Sequence, residues 1–243
     1  MTTYTNNKLI DGFGSQYQKI VQTYVLCKMR NMDFVYRPLT SMEHNYDNDS
    51  NYLDKMENLM NIKNNVTNLQ NEEDVETLNH MWVIKEFEKN MVEYSTNPHI
   101  EFTKKCFWQN KERDFFKNKK INIAVHIRRE NTHDKGLAGP RATTKNDFYL
   151  SIIKHIRTSF KDKELLFHIY SQGEKDNFKE FESNDTIMHI DENIEDSFIA
   201  LVAAEILVMS PSSFSYVAGL LSDGIVFYKP FWHLPKKEWI VAK

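Results

Sequence analysis

Residues 121–131 read Ile121-Asn122-Ile123-Ala124-Val125-His126-Ile127-Arg128-Arg129-Glu130-Asn131. Ile121, Ile123, Val125 and Ile127 alternate with Asn122, Ala124, His126 and Arg128, which is the period of a strand. The charged run Lys117 to Lys120 stops where the alternation starts. Such a strand carries two adjacent arginines to its carboxyl end, the edge at which open α/β sheets bind their ligands. Guanidinium groups stay charged and present a fork that matches phosphate oxygens two at a time. The pair therefore reads as a diphosphate site; the plainer reading is two surface arginines in a β–α loop.

Downstream of this strand comes a polar loop from Asn131 to Thr144. The pattern then predicts a helix from Asp147 to Thr158 and a strand from Leu165 to Tyr170, ending in Ser171-Gln172-Gly173. A helix is expected from Glu174 to Phe181, a strand from Thr186 to Ile190 ending at Asp191, and a helix from Ile194 to Ala204. The strand Ile206 to Met209, the helix Ser212 to Leu221 and the strand Ile225 to Tyr228 complete the series. Strictly alternating strands and helices of these lengths predict a doubly wound parallel sheet. In Met209-Ser210-Pro211-Ser212-Ser213-Phe214-Ser215, hydroxyls and backbone N–H groups gather at a helix start, which favours an anion. A serine N-cap with no further role explains the same residues.

Upstream, Lys8-Leu9-Ile10 leads into Asp11-Gly12-Phe13-Gly14-Ser15-Gln16, and Tyr17, Ile20, Val21, Tyr24, Val25 and Met29 follow with helical spacing. This reads as strand, glycine turn and helix, with Met32 to Tyr36 as the returning strand. Amphipathic helices are expected over Leu53 to Ile62 and Asp74 to Val92, with Pro98 closing the helical region and Phe102 to Phe116 bridging to the arginine strand. Asp47-Asn48-Asp49 has the form of an Asp-x-Asp metal motif, but no apolar strand leads into it, so it reads as a solvated loop.

With 243 residues, 41% of them hydrophobic and 27% charged, the chain is long enough for a sizeable core or two small domains. A formal net charge of -3 argues against nucleic acid or an anionic membrane as partner. The polar start Met1 to Lys8 lacks a signal-peptide core, and the apolar run Phe198 to Met209 is too short to span a bilayer. A cytoplasmic chain with no membrane span and reduced Cys27 and Cys106 is the expectation, which points to a viral or bacterial source or to a trimmed piece of a longer protein.

His126-Ile127-Arg128-Arg129-Glu130-Asn131 resembles the His-x-Arg-Arg-x-Asp motif of α1,2- and α1,6-fucosyltransferases and, more loosely, of protein O-fucosyltransferases. Asn131 stands where those families usually have Asp, keeping the hydrogen-bonding shape and losing the charge. Asp11 to Gln16 resembles their Gly-x-Gly-x-Gln segment, and Ser210 to Ser215 their serine-rich donor contact. Glu195-Asp196-Ser197 before an apolar helix is similar as well.

The resemblance implies a GT-B-like α/β fold: two Rossmann-like halves with a cleft between them. Residues 1–115 form the reduced acceptor-side half, and residues 116–243 the half that binds the nucleotide sugar. It implies inverting, metal-independent transfer of a sugar, GDP-fucose preferred as donor, to a glycan hydroxyl, without a resident cofactor. Arg128 and Arg129 are then assigned to the diphosphate, supported by Ser212, Ser213 and Phe214. Gly12, Gly14, His126, Ser171, Gln172 and Asp191 line the donor, with backbone from Met188 to Asp191 near the base. An inverting transfer needs a base for the acceptor hydroxyl, with Asp11 preferred over Glu130 and Asp134. Nothing in the chain reads guanine or fucose directly. A UDP-sugar such as UDP-xylose as donor, and a non-catalytic nucleotide- or sugar-binding protein, are the alternatives, the second favoured by Asn131.

Overall fold

The computed structural model describes residues 2–45, 47–129 and 144–242. Two compact units divide the chain, Met1–Glu112 and Arg113–Lys243.

The first unit holds a small parallel sheet of order β2-β1-β3, built from β1 (Thr3–Thr5), β2 (Asp33–Val35) and β3 (Val75–Thr77). The strand preceding the glycines is therefore Thr3–Thr5 and not the Lys8–Ile10 lead-in. Helix α1 (Phe13–Met29) is buried along most of its length, because the sheet strand β2 and the helices α3 (His80–Lys89), α4 (Met91–Tyr94) and α5 (Pro98–Trp108) all pack on it. Buried Gln16 finds two acceptors: its Nε2 donates to the carbonyls of Asp11 at 2.7 Å and Ser41 at 2.9 Å. Helix α2 (Tyr52–Met60) contributes Glu57, which accepts from the Tyr36 hydroxyl at 3.0 Å and the Leu39 N–H at 2.6 Å.

Two upstream expectations are corrected. The span from Asp74 to Val92 is not one helix: Val75 pairs with Thr3 in the sheet, and α3 starts only after Asn79, whose side chain accepts from the Trp82 N–H at 3.1 Å. Sheet pairing wins there over a 3.6-residue pattern. Pro98 does not end the helical region; it opens α5, with Asn97 Oδ1 capping the N–H groups of His99 at 2.7 Å and Ile100 at 3.2 Å. Proline suits a first helical turn because that turn needs no N–H donor.

The second unit is a six-stranded, wholly parallel sheet of order β6-β5-β4-β7-β8-β9. Its strands are β4 (Ile121–His126), β5 (Leu165–Ser171), β6 (Thr186–Ile190), β7 (Ile206–Val208), β8 (Ile225–Tyr228) and β9 (Ile240–Val241). Helix α6 (Asn146–Ser159) and a 3-10 helix (Lys175–Phe181) cover one face. There Ile123, Val125 and Ile127 pack with Tyr149, Ile152, Ile153, Ile156 and Phe178. The 3-10 form replaces the α-helix expected over Glu174 to Phe181. On the other face lie α7 (Ile194–Ala203), which touches β4, and α8 (Ser213–Leu221), joined by the edge contact of Phe198 and Phe214. The C-terminal tail, unpredicted as a strand, adds β9 beside β8, and Trp239 packs on Tyr216 and Tyr228. Gly219 makes room for it: a Cβ there would lie 3.0 Å from the indole.

Among the described residues, no helix is long and apolar enough to cross a membrane. Cys27 and Cys106 are buried free thiols.

Candidate functional site at the sheet switch point

From β4 the chain runs outward through β5 and β6, then returns to lay β7 on the other side of β4. The strand order therefore reverses between β4 and β7, the place where open α/β sheets hold ligands beyond their carboxyl ends. Ladder pairing ends at Val125 and Val208. Past it, Arg128 N–H donates to Ser210 Oγ at 2.8 Å, so a side chain ties the two strand ends together.

The arginines diverge from this point. Arg129 turns to the face of α6, where one nitrogen donates to the Thr144 carbonyl at 2.9 Å and the other to Asn146 Oδ1. Its guanidinium lies over the Phe178 ring at 5.5 Å, and burial lowers its pKa from the ordinary value. Arg128 donates to the Arg129 carbonyl at 2.7 Å. The sequence treats the two as one grip; the structure gives Arg129 protein acceptors at and just before the start of α6 and leaves Arg128 nearer the serine-rich turn.

That turn is built from Ser210 to Ser215. Ser212 caps α8 by accepting from the Phe214 N–H at 3.2 Å, and its own N–H bonds the Ser210 carbonyl at 2.8 Å. Ser215 Oγ donates to the same carbonyl at 3.0 Å. Ser212 and Ser213 are half-buried at the positive end of the α8 dipole, close in the chain to Ser210 and so to Arg128. The N-cap role and the anion-seat role coexist here.

His126 stands on the opposite face of β4 from the isoleucines, with Phe214 at 5.4 Å between ring centres. It is 9% exposed, and its Nδ1 has no hydrogen-bond partner among the described residues. Burial, helped by the Arg128 charge, brings its pKa down to about 3, so the ring is neutral at physiological pH. Across the sheet on the same face stands Tyr170, stacked on His189 at 4.4 Å with 9° between planes. Burial and then the Glu192 and Asp196 charges raise the Tyr170 hydroxyl.

Ser171 Oγ donates to the Ile127 carbonyl at 2.7 Å, which binds the end of β5 to the end of β4. Asp191 takes a left-handed φ of 57° and accepts from the Gly173 N–H at 3.1 Å. Both residues expected to line the donor thus also shape the strand ends, and Gln172 lies between them in the chain. The expected roles of Glu130, Asn131 and Asp134 fall outside the described residues.

Asp11, Gly12 and Gly14 belong to the first unit. Burial would raise the Asp11 carboxyl, but the Lys19 ion pair, the Ser15 hydroxyl at 2.8 Å and His80 outweigh it and hold it below the usual range. Gly12 is extended, not a left-handed turn; its missing Cβ admits the His44 ring, which would stand 2.5 Å from that atom. In the Asp47-Asn48-Asp49 loop, Asp49 pairs with Lys55 at 2.7 Å and accepts from the Asn51 N–H at 2.8 Å.

Reasoning from sequence missed Ser210 as the hinge of the site, and with it Tyr149, Asn146 and the file of His168, Tyr170 and His189. His168 and Tyr170 were legible as same-face neighbours in β5 from the alternation of the strand. The partners on α6 had no local signal.

No protein-family model matches the chain, and no curated protein does. Among solved structures, the fucosyltransferase NodZ from Bradyrhizobium is similar at 12% identity, with 94% of this chain and 95% of that chain covered and a TM-score of 0.43. NodZ α-1,6-fucosyltransferase co-crystallised with GDP matches at 11% identity over 94% of this chain and 96% of that one, TM-score 0.42. An Arabidopsis thaliana FUT1 mutant in complex with GDP matches at 11% identity over 98% of this chain and 73% of that one, TM-score 0.42. Likenesses at these identities and TM-scores assign no role to any residue here.

Proposed function

We propose that the chain is an inverting glycosyltransferase that takes its donor as a nucleotide diphosphate sugar in the second unit, with GDP-fucose as the preferred donor. The observation that carries this reading is the Arg128 N–H bond to Ser210 Oγ, which brings an arginine pair and a serine-capped helix start together at the sheet's switch point. In such a transfer, negative charge grows on the leaving diphosphate while the sugar becomes oxocarbenium-like. Arg128, Arg129 and the helix start at Ser212 and Ser213 supply positive charge and donors for it. These groups need no metal to do so, and metal-independent transfer is part of the proposal. His126, neutral and with an Nδ1 that has no partner among the described residues, adds one polar contact beside Phe214.

Asp11 is the proposed base for the acceptor hydroxyl, which assigns the acceptor side to the first unit. The Lys19 pair keeps it ionised at neutral pH, which favours readiness over proton affinity. The deciding experiment incubates the chain with GDP-fucose and a panel of UDP-sugars on mixed glycan acceptors and reads product mass. A fucosylated product supports the proposal; a pentosyl or hexosyl product from a UDP-sugar moves the donor; binding of the nucleotide without any product turns the reading to a binding protein.

A further inference from the structure

Beyond Val125 and Val208 the β4–β7 ladder has ended, and neighbouring strand ends at a switch point diverge unless something holds them. Here the holding group is a buried pair of hydroxyls. Ser210 Oγ accepts from the Arg128 N–H at 2.8 Å and lies 2.9 Å from the Tyr149 hydroxyl on α6. Both Tyr149 and Ser210 are 0% exposed, so water does not replace either partner. The start of the same helix holds Arg129, through Asn146 Oδ1 and through the Thr144 carbonyl just before it at 2.9 Å. The phenol oxygen thus ties the backbone that presents Arg128 to the helix whose first turn holds Arg129. A serine hydroxyl is otherwise free to rotate; a buried partner fixes which way its lone pairs face.

We propose that Tyr149, acting through Ser210, is a positioning residue that sets how the arginine pair meets the diphosphate. The inference rests on the donor-site reading above. It makes Tyr149 matter for the phosphate end of a nucleotide and not for the base.

The test uses the full chain and calorimetric titration with GDP and UDP, with guanosine and uridine as phosphate-free controls. Tyr149→Phe keeps the buried ring and removes only the hydroxyl; Ser210→Ala removes the other member, two residues past β7. Each should raise Kd for the bound diphosphate about tenfold, the worth of one hydrogen bond, and leave the matching nucleoside unchanged. The double variant should be little worse than Ser210→Ala alone, since Tyr149 acts only through Ser210. Unchanged diphosphate affinity in folded Tyr149→Phe overturns the inference and leaves the donor site standing. Equal losses for nucleoside and diphosphate also overturn it, because general loosening would do that. A wild-type chain that binds neither diphosphate more tightly than its nucleoside removes the donor site itself, and the inference falls with it.

Discussion

His168 Nδ1 lies 2.9 Å from His189 Nε2, joining β5 to β6 through two imidazoles. Asn122 Oδ1 accepts from Asn118 at 2.9 Å while Asn122 Nδ2 donates to the Lys120 carbonyl at 3.0 Å, so the amide orientation is set. His168 Nε2, 3.3 Å from that oxygen, then carries the proton, and His168 Nδ1 accepts from His189. The remaining nitrogen, His189 Nδ1, lies 2.8 Å from a Glu192 carboxylate oxygen. A neutral His168 is what burial favours: it moves the pKa down to about 4, with His189 adding to the shift.

This produces a pH dependence of stability. His168 and His126 have folded pKa values of about 4 and about 3, below the ordinary value of about 6.5. Between those limits the unfolded chain binds more protons, so stability rises with pH and is lost as pH falls from about 6.5 toward 4. The loss should be on the order of 3 kcal/mol for His168. Urea unfolding at pH 7.5 and pH 5 should show about 2 kcal/mol of it for each histidine, and His168→Gln should about halve the slope. An equal slope in that variant would place the proton uptake elsewhere.

Arg128→Ala should weaken binding of a nucleotide diphosphate by about tenfold or more, since a charge-assisted phosphate contact is worth roughly 1.5–3 kcal/mol. Arg129→Ala should do the same and also lower Tm, because Thr144 and Asn146 lose their donor and Phe178 its cover. Calorimetry paired with thermal melting separates the two arginines. Unchanged affinity in both folded variants rejects the diphosphate assignment.

Transfer should survive excess EDTA, because the proposed charge stabilisation comes from guanidinium and helix-start donors. Activity abolished by EDTA and restored by Mn²⁺ would overturn that and direct attention to Asp47 and Asp49.

Asp11→Asn should cost about 10²–10⁴ in transfer rate with donor affinity retained. It should also destabilise the first unit, because Lys19, 8% exposed, loses its carboxylate. Lys19→Met gives an independent check: without the ammonium the Asp11 pKa rises, so the acid limb of the pH–rate profile should move to higher pH. Full activity in Asp11→Asn would remove it as base, and Glu130→Gln becomes the next variant to measure.

The alternation in 121–127 and the strand–helix rhythm through Tyr228 were enough to predict the doubly wound sheet of the second unit. Both are local periodicities, and the side-chain pattern that buries one strand face is the same pattern that is written in the chain. The Ser212 cap was legible for the same reason. The short strands of the first unit were not: Val75 to Thr77 joins a sheet only because Thr3 to Thr5 lies beside it, and Pro98 reads as a stop or a start depending on the Asn97 cap. Likewise the arginine pair was visible as a pair, but its division was decided by partners remote in sequence. Ser210, Tyr149 and Asn146 meet Arg128 and Arg129 only after β7 and α6 have packed against β4, and no residue spacing in the chain encodes that distance.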